Sequence, residues 1–358
     1  MRPRLRRSLV SAVVATLVVP AVALVGAAPA LAVGFSPGNV VVARVGSGDA
    51  ALSSAAAAVF LDEYTPAGVL VQSVPLPTAT AGANRRLTMS GSASSEGALA
   101  QSQDGRYLTL AGYDADPGTA GVAGSTNTAV SRVVARVDGS GGVDTSTAIN
   151  DVFSGNNVRA AATDDGSRFW VAGANGGVRL VPLGSAGATT QINSAAPTNL
   201  RAVTAVGGQL YISTGSGTTG VYTVGSGLPT TGGQTPALTT AVPSPYAIVP
   251  LDRDPTVPGI DTLYVADDSA SPGGGILKFS FDGTAWSGRG SIRPGANGIR
   301  GLTGSVNGAG VSLFATTSAT TNALVKVDDT AAEGDLDLPF SGSFVEHDGG
   351  LDAYGWNV

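Results

Sequence analysis

The sequence predicts an all-β fold, a β-propeller, and three observations carry that prediction. A short apolar run recurs five times: LTLAG at 108–112, FWVAG at 169–173, LYIST at 210–214, LYVAD at 263–267 and LFATT at 313–317. Each copy opens on Leu or Phe and closes on small or polar residues, the pattern of a short buried strand stopped by a turn. Each is preceded by a second apolar segment (GALA 97–100, RAAA 159–162, RAVT 201–204, YAIV 246–249, RGLT 300–303). Each is followed by a third (VVARV 133–137, GVRL 177–180, GVYTV 220–224, ILKF 276–279, ALVKV 323–327). The copies begin at Gly97, Arg159, Arg201, Tyr246 and Arg300. Their spacing of roughly 40–60 residues brackets a four-stranded blade with insertions.

In chain order, Arg2, Arg4, Arg6 and Arg7 precede an apolar run from Leu9 to about Ala28, and Ala30-Leu31-Ala32 offers small residues at a cleavage site. This reads as a secretory signal peptide over residues 1–32, cut after Ala32, with export by the general or the twin-arginine route left open by Arg6-Arg7. An uncleaved membrane anchor is the alternative. Residues 33–358 read as one propeller domain, exported and soluble, and expected to be a monomer. Losing the leader removes four of the 20 basic residues and none of the 26 acidic ones, leaving 16 against 26, a net charge of −10. That balance argues against nucleic acid and anionic lipid, both of which require clustered Lys and Arg. No later apolar segment approaches the length of roughly 18 residues that a membrane-spanning helix needs, so no further span is expected.

Residues 39–45 read as a strand like the third segment of the later repeats. Residues 59–64 and 69–74 form a hairpin around the Thr65-Pro66-Ala67-Gly68 turn. The chain thus starts partway through a blade. Residues 344–346 and 351–356 are expected to supply the two inner strands of that split blade and to close the ring. The count is six blades, or seven if residues 78–95 hold more structure than their pattern shows.

The stretch from Asn39 to Pro77, with LTMSGS at 87–92 and Ser95-Glu96-Gly97, resembles a group of secreted bacterial propeller-like proteins that share an opening of the form NVVVARVG…VFLDEYTPAGVLVQ. The resemblance covers most of the chain beyond the leader and implies the same fold, and it carries no activity. Those proteins end in a strand with an Arg-Gly pair after Phe, whereas Phe344 here is followed by Val345 and Glu346.

The starts of the first segments are where chemistry is expected, because in a propeller they line the mouth of the central channel. Asn157 with Arg159, Asn199 with Arg201, Tyr246, and Asn297 with Arg300 fall there, with Glu96 at the first copy. Several guanidiniums around one funnel suit a carboxylate, phosphate or acidic sugar. The structural alternative is that each Arg pairs with an acid of the neighbouring blade and locks the ring. Glu96 is the best single carboxylate for acid–base chemistry, the alternatives being surface solvation or an ion pair with one of the arginines. Paired acids at 164–165, 252–254, 267–268 and 328–329 make calcium a candidate ligand, with Asp267 and Asp268 the candidate residues, although no EF-hand spacing is present. The Asp104-Gly105 and Asp165-Gly166 pairs are explained by turn chemistry.

Cysteine is absent and His347 is the single histidine, which excludes disulfides, thiol catalysis and a multi-histidine metal centre. No Gly-x-Ser-x-Gly elbow occurs. Leu228-Pro229-Thr230-Thr231-Gly232 matches a sortase signal, but repeats follow it, so it reads as a loop. Trp170 reads as core. The function expected is a secreted binding module for a glycan, peptide or small anionic ligand. A channel-mouth enzyme of the lactonase, lyase or glycosidase kind is the alternative, and a purely structural surface protein is a third.

Overall fold

The computed structural model describes residues 34–49, 51–269, 273–293, 297–308, 310–319 and 322–330, together with the backbone of 345–351. These residues lie in one compact unit, residues 32–358. Strands dominate, and their antiparallel order repeats. The third blade runs Val158–Ala162, Arg168–Gly173, Arg179–Pro182 and Thr190–Gln191. The fourth runs Ala202–Val206, Gln209–Thr214, Gly220–Val224 and Pro236–Ala241. The fifth runs Pro245–Leu251, Thr262–Asp267, Gly275–Phe281 and Trp286–Ile292, and the sixth Ile299–Asn307, Gly310–Thr317, Asn322–Asp329 and Val345–Leu351. The second blade holds Ala100–Gln101, Tyr107–Tyr113, Arg132–Asp138 and Val143–Ile149, and the first holds Val40–Val45, Ala56–Tyr64 and Leu70–Pro75. The five apolar runs are the second strands. They are almost wholly buried, because sheets packed on both faces leave no side of a strand for water.

Six apolar clusters lie in the seams between these blades, and together they close the ring. Val59, Leu61 and Met89 meet Leu110 and Ala135 between blades one and two. Tyr113 and Val134 meet Phe169 and Val158 between two and three, and Trp170 and Ile192 meet Val203 and Ile212 between three and four. Tyr211 and Val221 pack on Leu263 and Val265 of the next blade, and Tyr264 and Ile276 on Leu313 and Val325. The last seam joins Phe314 and Leu324 of blade six to Val40, Val42 and Tyr64 of blade one, and it is the smallest of the six. The fold is a six-bladed β-propeller. Residues 78–95 contribute only Thr88–Ser90, which bridges blades one and two, so no seventh blade forms there.

Two sequence expectations about the closing blade are corrected. Val40–Val45 starts beside the turn after the third strand of blade two (Phe35 N to Gly139 O, 2.9 Å) and pairs antiparallel with Ala56–Tyr64. It therefore runs in the sense of a second strand rather than a third. No described strand takes the innermost place of blade one. Val345–Leu351 pairs with Asn322–Asp329 as the outer strand of blade six, not as an inner strand of blade one. The remainder of that expectation, residues 344 and 352–356, lies outside the described residues.

The inner strands bound a channel with two unlike ends. Toward the ends of these strands a cavity of about 730 Å³ is lined by apolar groups such as Leu99, Val203, Ile248 and Leu302 mixed with polar ones such as Gln101, Gln103 and Thr204, with Val40 and Val41 on the blade-one side. The starts of the same strands form the opposite mouth, where the arginines lie. Trp170 is fully buried, and its Nε1 donates to Pro229 O at 2.8 Å. The sortase-like pentapeptide is thus a loop tucked over a core indole.

Candidate functional site: a basic face at one channel mouth

One position recurs in each repeat, and the geometry at it hands on from blade to blade. The parallel bridge between Ala98 and Ala160 puts Gly97 at the level of Arg159, and Arg201, Tyr246 and Arg300 follow at the equivalent places of blades four to six. Arg159 Nη1 donates to Asn199 Oδ1 (2.6 Å) and Leu200 O (2.9 Å) at the start of the next blade. Arg201 Nη1 does the same one blade further on, to Ser244 Oγ (2.8 Å) and Pro245 O (3.3 Å). Asn157 Nδ2 reaches back to Glu96 Oε1 at 2.6 Å. The rule is local: the residue two before each inner-strand arginine or tyrosine meets the side chain at the head of the preceding blade. Ser244 and Asn199 obey it. In blade six that place is Gly298, where a Cβ would run into the backbone of Asp268, and it is the Asp268 carboxylate that receives Arg300 Nε and Nη2 at 3.1 and 2.9 Å.

Tyr246 sits between two of these cations. The Arg201 guanidinium lies 4.2 Å from the ring centroid and that of Arg300 5.5 Å, and the ring is only 8% exposed. It is therefore a spacer between charges and leaves no open aromatic face for a sugar. The other side of the Arg201 guanidinium rests on Gly215, where an added Cβ would fall well inside van der Waals contact of Cζ, Nε and Nη2. Replacing Gly215 with Ala is expected to displace the Arg201 head without removing its charge. Binding of a small anion such as sulfate should weaken several-fold, while the melting midpoint stays within about 2 °C. Calorimetric titration beside a thermal melt checks both parts.

The structural alternative, in which every Arg finds an acid in the adjoining blade, holds for Arg300 alone. Among the described residues Arg159 and Arg201 form no ion pair. Their bonds go to carbonyls and neutral side chains, and the buried Arg159 Nε has no partner. Burial, and after it the Arg201 charge, holds the Arg159 guanidinium below its ordinary range. Two like charges thus lie near each other in an acidic protein, with part of their donor capacity unspent.

Glu96 departs from the sequence expectation. It lies one residue out of phase with the position that faces the channel, so its side chain turns into the blade packing and is 4% exposed. Ser90 N donates to Oε2 (3.0 Å), and Tyr113 Oη (2.5 Å) and Asn157 Nδ2 donate to Oε1. Burial outweighs these bonds and the Arg159 charge, and it pushes the carboxyl up to about 7. At 4% exposure it is not solvated, one of the alternatives the sequence suggested, and Arg159 acts on it through its charge. Behind it, burial and the Glu96 charge drive the Tyr113 hydroxyl far above its usual range.

Asn297 is exposed. Asp267 is buried and accepts Ser269 N (2.7 Å), and Asp268 serves Arg300. Among the described residues no three acidic or histidine side chains converge, so the calcium possibility finds no ligand set at Asp267 and Asp268. The Asp104 and Asp165 turns show the expected Asx bonds, to Arg106 N at 3.1 Å and Ser167 N at 2.8 Å. Asp328 pairs with Lys326 and Asp329 with Lys278. Ser244, Tyr113, Ser90 and Arg132 were not singled out from the sequence. Ser244 could have been, because it stands two before Tyr246 as Asn157 and Asn199 stand two before their arginines. The others are brought in by neighbouring strands and leave no local signal.

The fold and this face define a class: a six-bladed propeller with a channel mouth where Arg300 meets Asp268 and where Arg159 and Arg201 have no carboxylate partner among the described residues. No protein-family model matches the chain, and no curated protein matches it. Solved structures similar to it include the periplasmic gluconolactonase of Pseudomonas aeruginosa, at 14% identity over 86% of this chain and 82% of that one, with a TM-score of 0.45. The WD40 repeats of RRP9 match at 10% identity over 87% of this chain and 84% of that one, with a TM-score of 0.43. YCF48 from Cyanidioschyzon merolae matches at 15% identity over 70% of this chain and 72% of that one, with a TM-score of 0.38. All three are distant likenesses, so the propeller rests on its own strand order and seams.

Proposed function

We propose that this protein is an exported binding module whose basic channel mouth takes a small anionic ligand through Arg159 and Arg201. The observation that carries the reading is the lack of any carboxylate partner for these two guanidiniums among the described residues, in a chain of net negative charge. The sequestered Tyr246 ring favours a compact carboxylate, sulfate or phosphate group over a neutral glycan that must stack. Secretion rests on the leader at residues 1–32, and a monomer is part of the proposal.

Isothermal titration of the wild-type protein with sulfate, phosphate and galacturonate tests it. Each charge-assisted bond is worth about 1.5–3 kcal/mol, so Arg159→Gln and Arg201→Gln should each raise the dissociation constant at least about tenfold. Arg300→Gln should change it less, because Asp268 already occupies that guanidinium. Equal effects from all three, or no binding of any of the anions, would defeat the reading. The second reading, an enzyme at the same mouth, is favoured by one observation, the carboxyl of Glu96 pushed up to about 7 beside Arg159. Both its oxygens are taken by protein donors, however, and Glu96→Gln would have to abolish turnover for that reading to hold.

A further inference from the structure

Glu96 lies at the base of the basic face, and a role for it there rests on the anion-binding reading above. Among the described residues, the titratable and charged groups that face it are Tyr113 from the second strand of its blade, Arg132 from the third, and Arg159 from the first strand of the next blade. Arg132 is committed elsewhere: its Nη atoms donate to Val130 O (2.7 Å), Ser125 O (2.9 Å), Phe153 O (2.6 Å) and Asn156 O (3.1 Å). Arg132 and Arg159 each leave Nε without a partner, but Arg132 is fully buried, while Arg159 is half-buried and feels the charge of Arg201.

We propose that the face takes up its anion together with one proton, which is bound by Glu96. A ligand oxyanion and the Glu96 carboxylate compete for the positive charge of Arg159. Two anions near one guanidinium repel, and protonating Glu96 relieves that repulsion. The neutral acid keeps its place, because the Tyr113 hydroxyl can rotate from donor to acceptor while Ser90 N and Asn157 Nδ2 continue to donate. The ligand class is therefore a small oxyanion bound as its proton-linked pair, with affinity set by pH near neutrality.

Without ligand Glu96 titrates at about 7, and an anion nearby raises it further. Below about 7 the acid is protonated with or without ligand, and affinity is at its higher plateau. As pH rises through 7 and up to the value in the occupied site, each binding event must take up a proton, and affinity falls. Above that the affinity levels off at a lower plateau.

Sulfate is the probe, since it has no proton to gain near neutrality and any uptake belongs to the protein. Titration calorimetry at pH 7.5 in two buffers of different ionisation enthalpy counts the protons. We expect a sizeable fraction of one proton taken up, and a dissociation constant about fivefold or more larger at pH 8.5 than at pH 6. Glu96→Gln should abolish both, whereas His347→Gln, which removes the one histidine, should keep both. Sulfate bound by the wild type with no proton uptake overturns this inference and leaves the anion-binding reading standing. So does a Glu96→Gln protein with an unchanged pH profile. If that variant does not fold, the two-buffer measurement on wild type and His347→Gln decides alone. If sulfate does not bind at either pH, galacturonate, which likewise has no proton to gain near neutrality, takes its place as the probe. Failure of sulfate, phosphate and galacturonate alike overturns both.

Discussion

Replacing Arg132 with Met should lower the melting midpoint by roughly 4–7 °C, among the largest effects expected of a single substitution here. Arg132 is fully buried and forms no ion pair among the described residues. Its guanidinium is a hub for backbone oxygens instead. The Nη atoms bond four carbonyls and approach Ser125 Oγ at 3.3 Å, and the plane lies 5.1 Å from the Tyr113 ring centroid. Those carbonyls belong to the loop over residues 114–131 and to the one over 153–157, which includes Phe153 with φ 61°. Methionine fills most of the volume but leaves the carbonyls without donors in the interior. The cost is about 3–5 kcal/mol, in the range for breaking a buried charged network. A chain of this size gives way by roughly 1.5 °C per kcal/mol. Lysine should not rescue, because one ammonium cannot span carbonyls arranged for a planar fork. Differential scanning calorimetry of the two variants decides. A loss under about 1 kcal/mol for Met would mean that the loops find other donors and that Arg132 does not order them.

Lys278→Met should be comparably damaging, for a different reason. Lys278 is 1% exposed on the third strand of blade five, and its Nζ lies 2.8 Å from Asp329 Oδ2 at the end of the third strand of blade six. Tyr264 Oη donates to the same carboxylate oxygen at 2.6 Å. The pair crosses the seam formed by Tyr264, Ile276, Leu313 and Val325. Removing the cation takes away the buried charge held 2.8 Å from this carboxylate, which costs about 3–5 kcal/mol. Removing the charge at both ends should cost less, so Lys278→Met with Asp329→Asn is expected to melt above Lys278→Met alone. A double-mutant cycle at pH 7 measures the coupling. Additive effects would show that the two side chains do not depend on one another.

These two residues also show why so much of the interior cannot be read along the chain. Arg132 stands before VVARV and Lys278 within ILKF, where a charge in a strand suggests a solvent-facing position. Each is buried because a distant partner is: the Phe153 carbonyl for Arg132, and Asp329 for Lys278. Glu96 illustrates the same limit at the site. Its proximity to the channel mouth is visible in the repeat, but the single-residue offset that turns it inward depends on register.

The repeat, the second strands, the turns at Asp104 and Asp165 and the recurrence of arginine at the head of the inner strands are legible along the chain. These follow from local spacing and from the burial demanded by apolar runs. Which strand takes which place in the closing blade, and that Val345–Leu351 completes blade six, emerges from the folded arrangement alone. That arrangement also decides that Arg300 is neutralised by Asp268 while Arg159 and Arg201 are not, and that Tyr246 separates two cations. Ion pairing and burial of a charge are properties of neighbours from other blades, and the approach of those blades is set by the packing of the seams. No local pattern in the chain encodes that approach.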